Sequence, residues 1–321
     1  VIGRRTALGA ALALAAIRRA LAQGSPGQSI RIIVPYVAGG TTDLVGRMVA
    51  EGLAARLPRP IVVENRGGAS GMIGSEAVAR AAPDGLTLLL CSSAHAVLPE
   101  LYPNLSWDPL RDFAPVGPVA ATPYMLVVHP SLPVRSVAEL VAYAKANPGK
   151  LNFASTGMGT AQHLAGELLK RLAGIEMVHV SYRGSGAVKA DLLSGRINLM
   201  FENVALTVPM TERGEVRGLA VTSPQRTPLA LGLPTLAELG YAGAQIEGWF
   251  GLLAPAHTPP EVVAPLNAAL NDWLRQPATA QRLAGLGARV LGGAPQDLAT
   301  IIRDERERWG RVIREANIRP E

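Results

Sequence analysis

The chain has 321 residues, 48% hydrophobic, 17% charged and 4% aromatic, with 34 glycines and 25 prolines. That is enough for two medium domains with their own cores, too apolar for a disordered chain, and too poor in ring faces for sugar stacking or single-stranded nucleic-acid binding. The formal charge of +6 owes much to Arg4, Arg5, Arg18 and Arg19; taking these four from 31 basic residues leaves 27 against 25 acidic ones, and no basic stripe points to nucleic acid or a membrane surface.

Residues 1–22 read as an export signal. Arg4 and Arg5 form a positive start, Thr6 to Ile17 an apolar stretch, and "ALA" at 20–22 a small-x-small cleavage site. The apolar stretch falls short of the roughly 20 residues that span a bilayer. The paired arginines fit a twin-arginine route, and the remainder a Sec route. A periplasmic location is therefore expected, with 23–28 as a linker.

From Ile30 onward one grammar repeats: a β-branched run, a Gly/Ser-rich turn, then an amphipathic helix. "IRIIVPY" (30–36) leads through "VAGGTT" to a helix from Asp43 to about Leu57, and "PIVVEN" (60–65) through "RGGASG" to one from Met72 to about Ala82. "LTLLLCSS" (86–93) is a buried strand whose lone Cys91 reads as a small hydrophobe. "KLNFAS" (150–155) leads through "TGMGT" to a helix over 161–172, and "MVHVSY" (177–182) through "RGSG" to one over 187–194. Strands "RINLMFEN" (196–203), which precedes a short helix, and "VRGLAVTS" (216–223) follow, then helices near 259–274, 277–286 and 295–317. The last carries one apolar stripe, Ile301, Ile302, Trp309, Val312 and Ile313, and so should dock on a domain.

Strands alternating with helices imply βαβ units and an α/β fold with parallel-rich sheets, covered on both faces where strands are continuously apolar. Two domains are expected: 29–123 with 256–321, and 130–245. The segments 124–129 and 246–255 would cross between them.

A glycine-rich turn before a helix presents unpaired N–H groups at the positive end of the helix dipole. One such turn, "AGGTT", is most simply a connection, with Asp43 capping the helix. Four of them, adding "GGASG" (67–71), "STGMGT" (155–160) and "YRGSG" (182–186), gather at the carboxyl ends of parallel strands and describe a cleft for a small carboxylate. Phosphate chemistry is poorly served, since no turn reads G-x-x-x-x-G-K-[ST] and "GMGTAQ" breaks the dinucleotide pattern.

Catalytic readings are weaker. A Ser155–His163 pair is conceivable in a hydrolase, but no acid orients the histidine. His95, His129, His163, His179 and His257 show no metal spacing, so neither a metal nor a cofactor is expected. Glu202 ends a buried strand, where it either receives an ammonium group or caps the next segment. Tyr36 and Tyr182 close over a ligand or pack.

Taken together, "IRIIVPYVAGGTTD", "VVENRGGASGMIGSEAVARAAPDG", "LYPNLSWDPLRDFAPV", "LNFASTGMGTAQHLAGELLK", "VSYRGSGAVKADLLSGRINLMFEN", "LAVTSPQRTPLALGLPTLAELG" and "WFGLLAPAHTPP" resemble the extracytoplasmic solute receptors of the tripartite tricarboxylate transporter group, the Bug-type binding proteins. The resemblance implies a two-domain, type II periplasmic-binding-protein (Venus-flytrap) fold and a receptor that is not an enzyme. Such a receptor, expected as a monomer, takes a small carboxylate, whether mono- or dicarboxylate, carboxylated amino acid or aromatic, and passes it to membrane transporter subunits. A ligand-presenting sensory receptor is the neighbouring alternative.

Carried onto this chain, the resemblance implies ligand contacts from Tyr36, Val37, Ala38, Gly39, Gly40, Thr41 and Asp43, and from Gly68, Ala69, Ser70 and Gly71. The opposite wall would come from Ser155, Thr156, Gly157, Met158, Gly159, Thr160, His163, Tyr182, Ser185 and Glu202. Three positions depart from the family pattern. Gly67 and Ser181 stand where proline is usual, and Glu202 where aspartate is common.

Overall fold

The computed structural model describes residues 28–182, 184–315 and Ile318. The export-signal reading over 1–22 lies outside them, as does all of the linker but Gln28.

Among the described residues, ten strands form one curled, mixed sheet: β1 (Ile30–Val34), β2 (Ile61–Asn65), β3 (Thr87–Ser92), β4 (Phe113–Val128), β5 (Leu151–Ser155), β6 (Met177–Ser181), β7 (Leu199–Asn203), β8 (Arg217–Val221), β9 (Glu247–Pro255) and β10 (Arg289–Val290). The spatial order is β2-β1-β3-β9-β4-β7-β5-β6, with β8 and β10 also on β4. The βαβ grammar accounts for the parallel pairs β1–β2, β1–β3, β5–β6 and β5–β7. Every pairing of β4 or β9 is antiparallel, so the sheet is mixed rather than dominated by parallel strands.

β4 joins the two halves. Its residues from Phe113 to Pro123 pair with β9, and those from Tyr124 to Val128 with β7 and β8. Register shifts at Pro115/Gly117 and Pro118/Ala120 bend it, as prolines that cannot donate to a ladder require. The stretch 246–255, expected as a crossing, is mostly β9 itself; its Ile246 N–H still bonds Thr222 O of the other half at 3.1 Å.

The helices are α1 (Thr41–Ala54), α2 (Met72–Ala79), α3 (Ala94–Leu101), α4 (Val137–Ala146), α5 (Ala161–Ala173), α6 (Ser185–Leu193), α7 (Val204–Glu212), α8 (Pro260–Leu274), α9 (Pro277–Gly285) and α10 (Pro295–Glu315). They cover both faces, and the strand residues alternate between cores accordingly. Ile32, Leu88 and Leu90 pack under α1 and α8, whereas Ile33, Leu89 and Cys91 pack under α2, α3 and α10. In the second half Phe153, Leu126 and Phe201 face α5, while Ala154, Met125 and Met200 face α6 and α7. Cys91 is buried and its thiol is pushed up to about 12 by that burial, the expected inert hydrophobe.

Two helices lay outside the sequence reading, α3 and α4. The second opens on a capping-box sequence, S-x-x-E: Ser136 Oγ accepts from Glu139 N–H at 3.1 Å, and the Glu139 carboxylate reaches one residue further back to accept from Arg135 N–H. The apolar stripe of α10 also serves two cores, with Leu298 and Ile302 in the first half and Trp309 and Ile313 in the second. Among the described residues no helix is long and apolar enough to cross a membrane.

Candidate functional site

The carboxyl ends of β1, β3, β5, β6 and β7 open on one cleft between the halves. It is lined by first helical turns: Gly40, Thr41 and Thr42 of α1, Ser93 before α3, Thr160, Ala161 and Gln162 of α5, and Gly184 and Ser185 of α6. No side chain caps the starts of α1, α3 or α6, which leaves their N–H groups for water or a ligand. At α5 Thr160 caps its own helix through His163 N–H. Four dipoles thus converge on a space of about 70 Å³, room for a handful of waters or one small organic acid at roughly 10–15 Å³ per water.

The turns meet across this cleft. A Cβ on Gly184 would stand 2.4 Å from Val37 Cγ2, one on Gly157 2.6 Å from Ser70 Oγ, and one on Gly40 3.7 Å from Ser185 Oγ. The first turn therefore faces the fourth and the second faces the third. Only glycine permits these approaches at Gly184 and Gly157.

Of the residues expected at the ligand, Tyr36, Val37, Gly40, Thr41, Thr156, Thr160, Ser185 and Glu202 line the cleft. Others support it from behind. Asp43 is buried in the first turn of α1, where it holds the loop and does not act as the N-cap, which is Gly40. Its Oδ2 accepts from Gly39 N–H at 2.9 Å and from Arg47, and its Oδ1 accepts from Asn65 at 2.9 Å. Burial raises its pKa, but Arg47, the Gly39 N–H and Asn65 outweigh that and hold it below the usual carboxylate value. The Gly39 N–H is thus already engaged by the protein.

Gly68, Ala69, Ser70 and Gly71 form a short 3₁₀ turn. Ala69 and Ser70 both take left-handed φ, +48° and +55°, a strained geometry for non-glycine residues. Tyr36 OH reaches Ser70 O at 3.3 Å and Ser92 Oγ at 2.9 Å, and burial holds that phenol up to about 12. Gly67 packs against the backbone of Tyr36 and Val37, where a Cβ would stand 2.9 Å from Val37 N. Ala38 is exposed on the first loop, and Met158 and Gly159 face the hydrophobic core beside Leu101.

The Ser155–His163 pair does not form. Ser155 is fully buried, and its Oγ bonds His179 Nε2 at 2.7 Å and Gly157 O at 3.0 Å. His163 Nδ1 accepts from Gly159 N–H at 3.1 Å, and its ring packs on His179 with centroids 4.3 Å apart. Burial, with His179 beside it, lowers His163 to about 3, and burial lowers His179 to about 4, so both are neutral braces of the third turn. Tyr182 likewise turns away from the cleft, donating to Asp191 Oδ2 of α6 at 2.7 Å.

Several lining residues were not among the expected ligand contacts: Ser92, Ser93, Tyr124 and Gln162, together with Trp249 and Phe250, which the sequence reads as hinge-region core. The serines ended a strand without a glycine to mark a turn. Tyr124 and Trp249 lay in stretches read as crossings. Gln162 closes a chain of contacts, its Oε1 accepting from Thr156 N–H at 2.9 Å and its Nε2 donating to Glu202 Oε1 at 3.0 Å. Among the described residues no group of His, Cys, Asp or Glu is gathered as a metal site.

A mixed sheet in two halves, with helix starts converging on a cleft between them, defines a solute-binding protein of the periplasmic-binding-protein fold. Residues 45–318 match the model of the tripartite tricarboxylate transporter family receptor, TctC, and the chain belongs to that family as a solute-binding receptor. It is 37% identical over 292 residues to protein BugT of Bordetella pertussis, covering 90% of each chain.

Solved structures agree in fold. The periplasmic binding protein BugD superposes with a TM-score of 0.87 at 34% identity, covering 92% of this chain and 100% of that one. The Rhodopseudomonas palustris protein Rpa4515 with adipate gives 0.88 at 37% identity, over 92% and 99%. MatC from the same organism, with bound malate, gives 0.84 at 33%, over 90% and 100%.

Proposed function

We propose that the protein is an exported, periplasmic receptor that closes on a small carboxylate and delivers it to a membrane transporter. The observation carrying this reading is the convergence of four first helical turns, three of them without a side-chain cap, on one small cleft. Adipate and malate in the related structures are carboxylates of suitable size. Ligand binding would favour the closed arrangement through contacts made by both halves at once. On this reading the domains are 29–123 with 256–321, and 130–245, and the ligand contacts are the cleft-lining members of the four turns.

Titration calorimetry and thermal unfolding with a panel of small mono- and dicarboxylates provide the test. One-to-one binding is expected, with stability raised by about 2.7 kcal/mol at a hundredfold excess over Kd. Absence of binding across the panel, together with turnover of an ester or amide, would overturn the receptor reading.

A further inference from the structure

Glu202 is the acidic group of a cleft otherwise built to attract anions. It ends β7, is 6% exposed and lines the cleft wall. Its Oε1 is already occupied, accepting from Asn203 N–H at 2.7 Å and from Gln162 Nε2 at 3.0 Å. The Gln162 amide is oriented unambiguously, because its Oε1 takes the Thr156 N–H. Ser185, at the start of α6, lines the same cleft and its hydroxyl favours the charged form of Glu202. All these partners are neutral donors, and the nearby Tyr124 and Tyr36 phenols are kept neutral by burial.

A buried carboxylate held only by neutral donors is under-compensated, and a ligand cation beside it would supply the missing charge. A second ligand carboxylate placed there would instead meet repulsion. We propose, resting on the carboxylate-receptor reading, that Glu202 is the specificity-determining residue: the bound carboxylate carries a hydrogen-bond donor, ammonium ahead of hydroxyl, that Glu202 accepts. The ligand's carboxylate would lie at the helix starts, and its donor at the β7 edge. Ammonium ranks first because it brings a positive charge to the buried carboxylate, which a neutral hydroxyl does not.

Calorimetry at about pH 8 with succinate, malate and aspartate isolates this feature, since the three share one skeleton and differ at C2 by hydrogen, hydroxyl or ammonium. Propionate, lactate and alanine repeat the comparison with a single carboxylate. The expected order is ammonium, hydroxyl, hydrogen, with about tenfold or more between the extremes. Glu202→Gln should collapse that ratio towards one, and Glu202→Asp should keep it. Equal binding within each trio by the wild-type protein, or an order preserved in Glu202→Gln, overturns the inference. Tightest binding of succinate would do so while leaving the receptor reading intact. Failure of all six to bind would overturn the inference, whereas the receptor reading falls only with the wider carboxylate panel.

Discussion

Asp43 shows how one side chain can prepare an anion site without touching the anion. It spends both carboxylate oxygens on Gly39, Asn65 and Arg47, and so sets the path of the loop that presents Thr41 and Thr42. Sequence placed an acid at a helix start, where a cap is the natural reading; the three-residue offset from Gly40 could be known only once the helix boundary was seen. Asp43→Ala leaves the Gly39 N–H without its acceptor and the Asn65 amide with Tyr36 O alone. Urea denaturation should show a loss of about 1–3 kcal/mol, and calorimetry a weaker ligand. An unchanged midpoint would mean that water replaces the carboxylate at no cost. Ser155 carries the complementary lesson. Its spacing to His163 suggested a pair, yet the parallel pairing of β5 and β6 sets Ser155 opposite Ser181 and brings His179 within reach.

The turns act as pairs, each glycine making room for a side chain from the other half. Gly184→Ala should therefore weaken ligand binding by about tenfold or more, because its new methyl would stand 2.4 Å from Val37 Cγ2 across the cleft and its φ of +159° is one that alanine rarely adopts. Adding Val37→Ala removes the overlap but not the backbone strain, so it should restore affinity in part. If Gly184→Ala binds ligand as the wild type does, the contact between these two turns is no part of the liganded form. Local signals were uneven here. The four glycine turns announced themselves through composition, and the ends of seven strands fell within a few residues of expectation. The capping box at Ser136 was present in the sequence and passed over, because α4 lies between stretches read as a crossing and a strand. Ser92 and Ser93 carried no glycine, yet they hold the place at the cleft that the second glycine turn was expected to share.

Across both halves, buried histidines make the protein sensitive to acid. Burial lowers His95 to about 4 against its bond to Pro109, and lowers His163 and His179 to about 3 and 4. Their folded values lie below the unfolded one of 6.5, so their stabilising effect is present above pH 6.5 and is lost as pH falls towards those values. Glu202 works in the opposite sense: burial raises it from 4.5 to about 7, so protonation favours the fold as pH drops through that interval. Each group changes the slope by at most about 1.4 kcal/mol per pH unit. Three histidines outweigh one carboxyl, and the unfolding midpoint should fall between pH 6.5 and 4. His163→Asn should flatten that fall; a profile as steep as the wild type would locate the acid sensitivity elsewhere.

The residue order was sufficient for the kinds of element, for strands buried on both faces and for turns rich in free N–H groups. Those properties follow from periodicity and composition over a few neighbouring residues. It was not sufficient for the antiparallel setting of β4 and β9, for α10 being shared by two cores, for the partner of Ser155, or for which turns confront one another. Each of these depends on pairing register and packing between segments far apart in the chain, where many arrangements satisfy the same local pattern and the shared burial of distant side chains selects one.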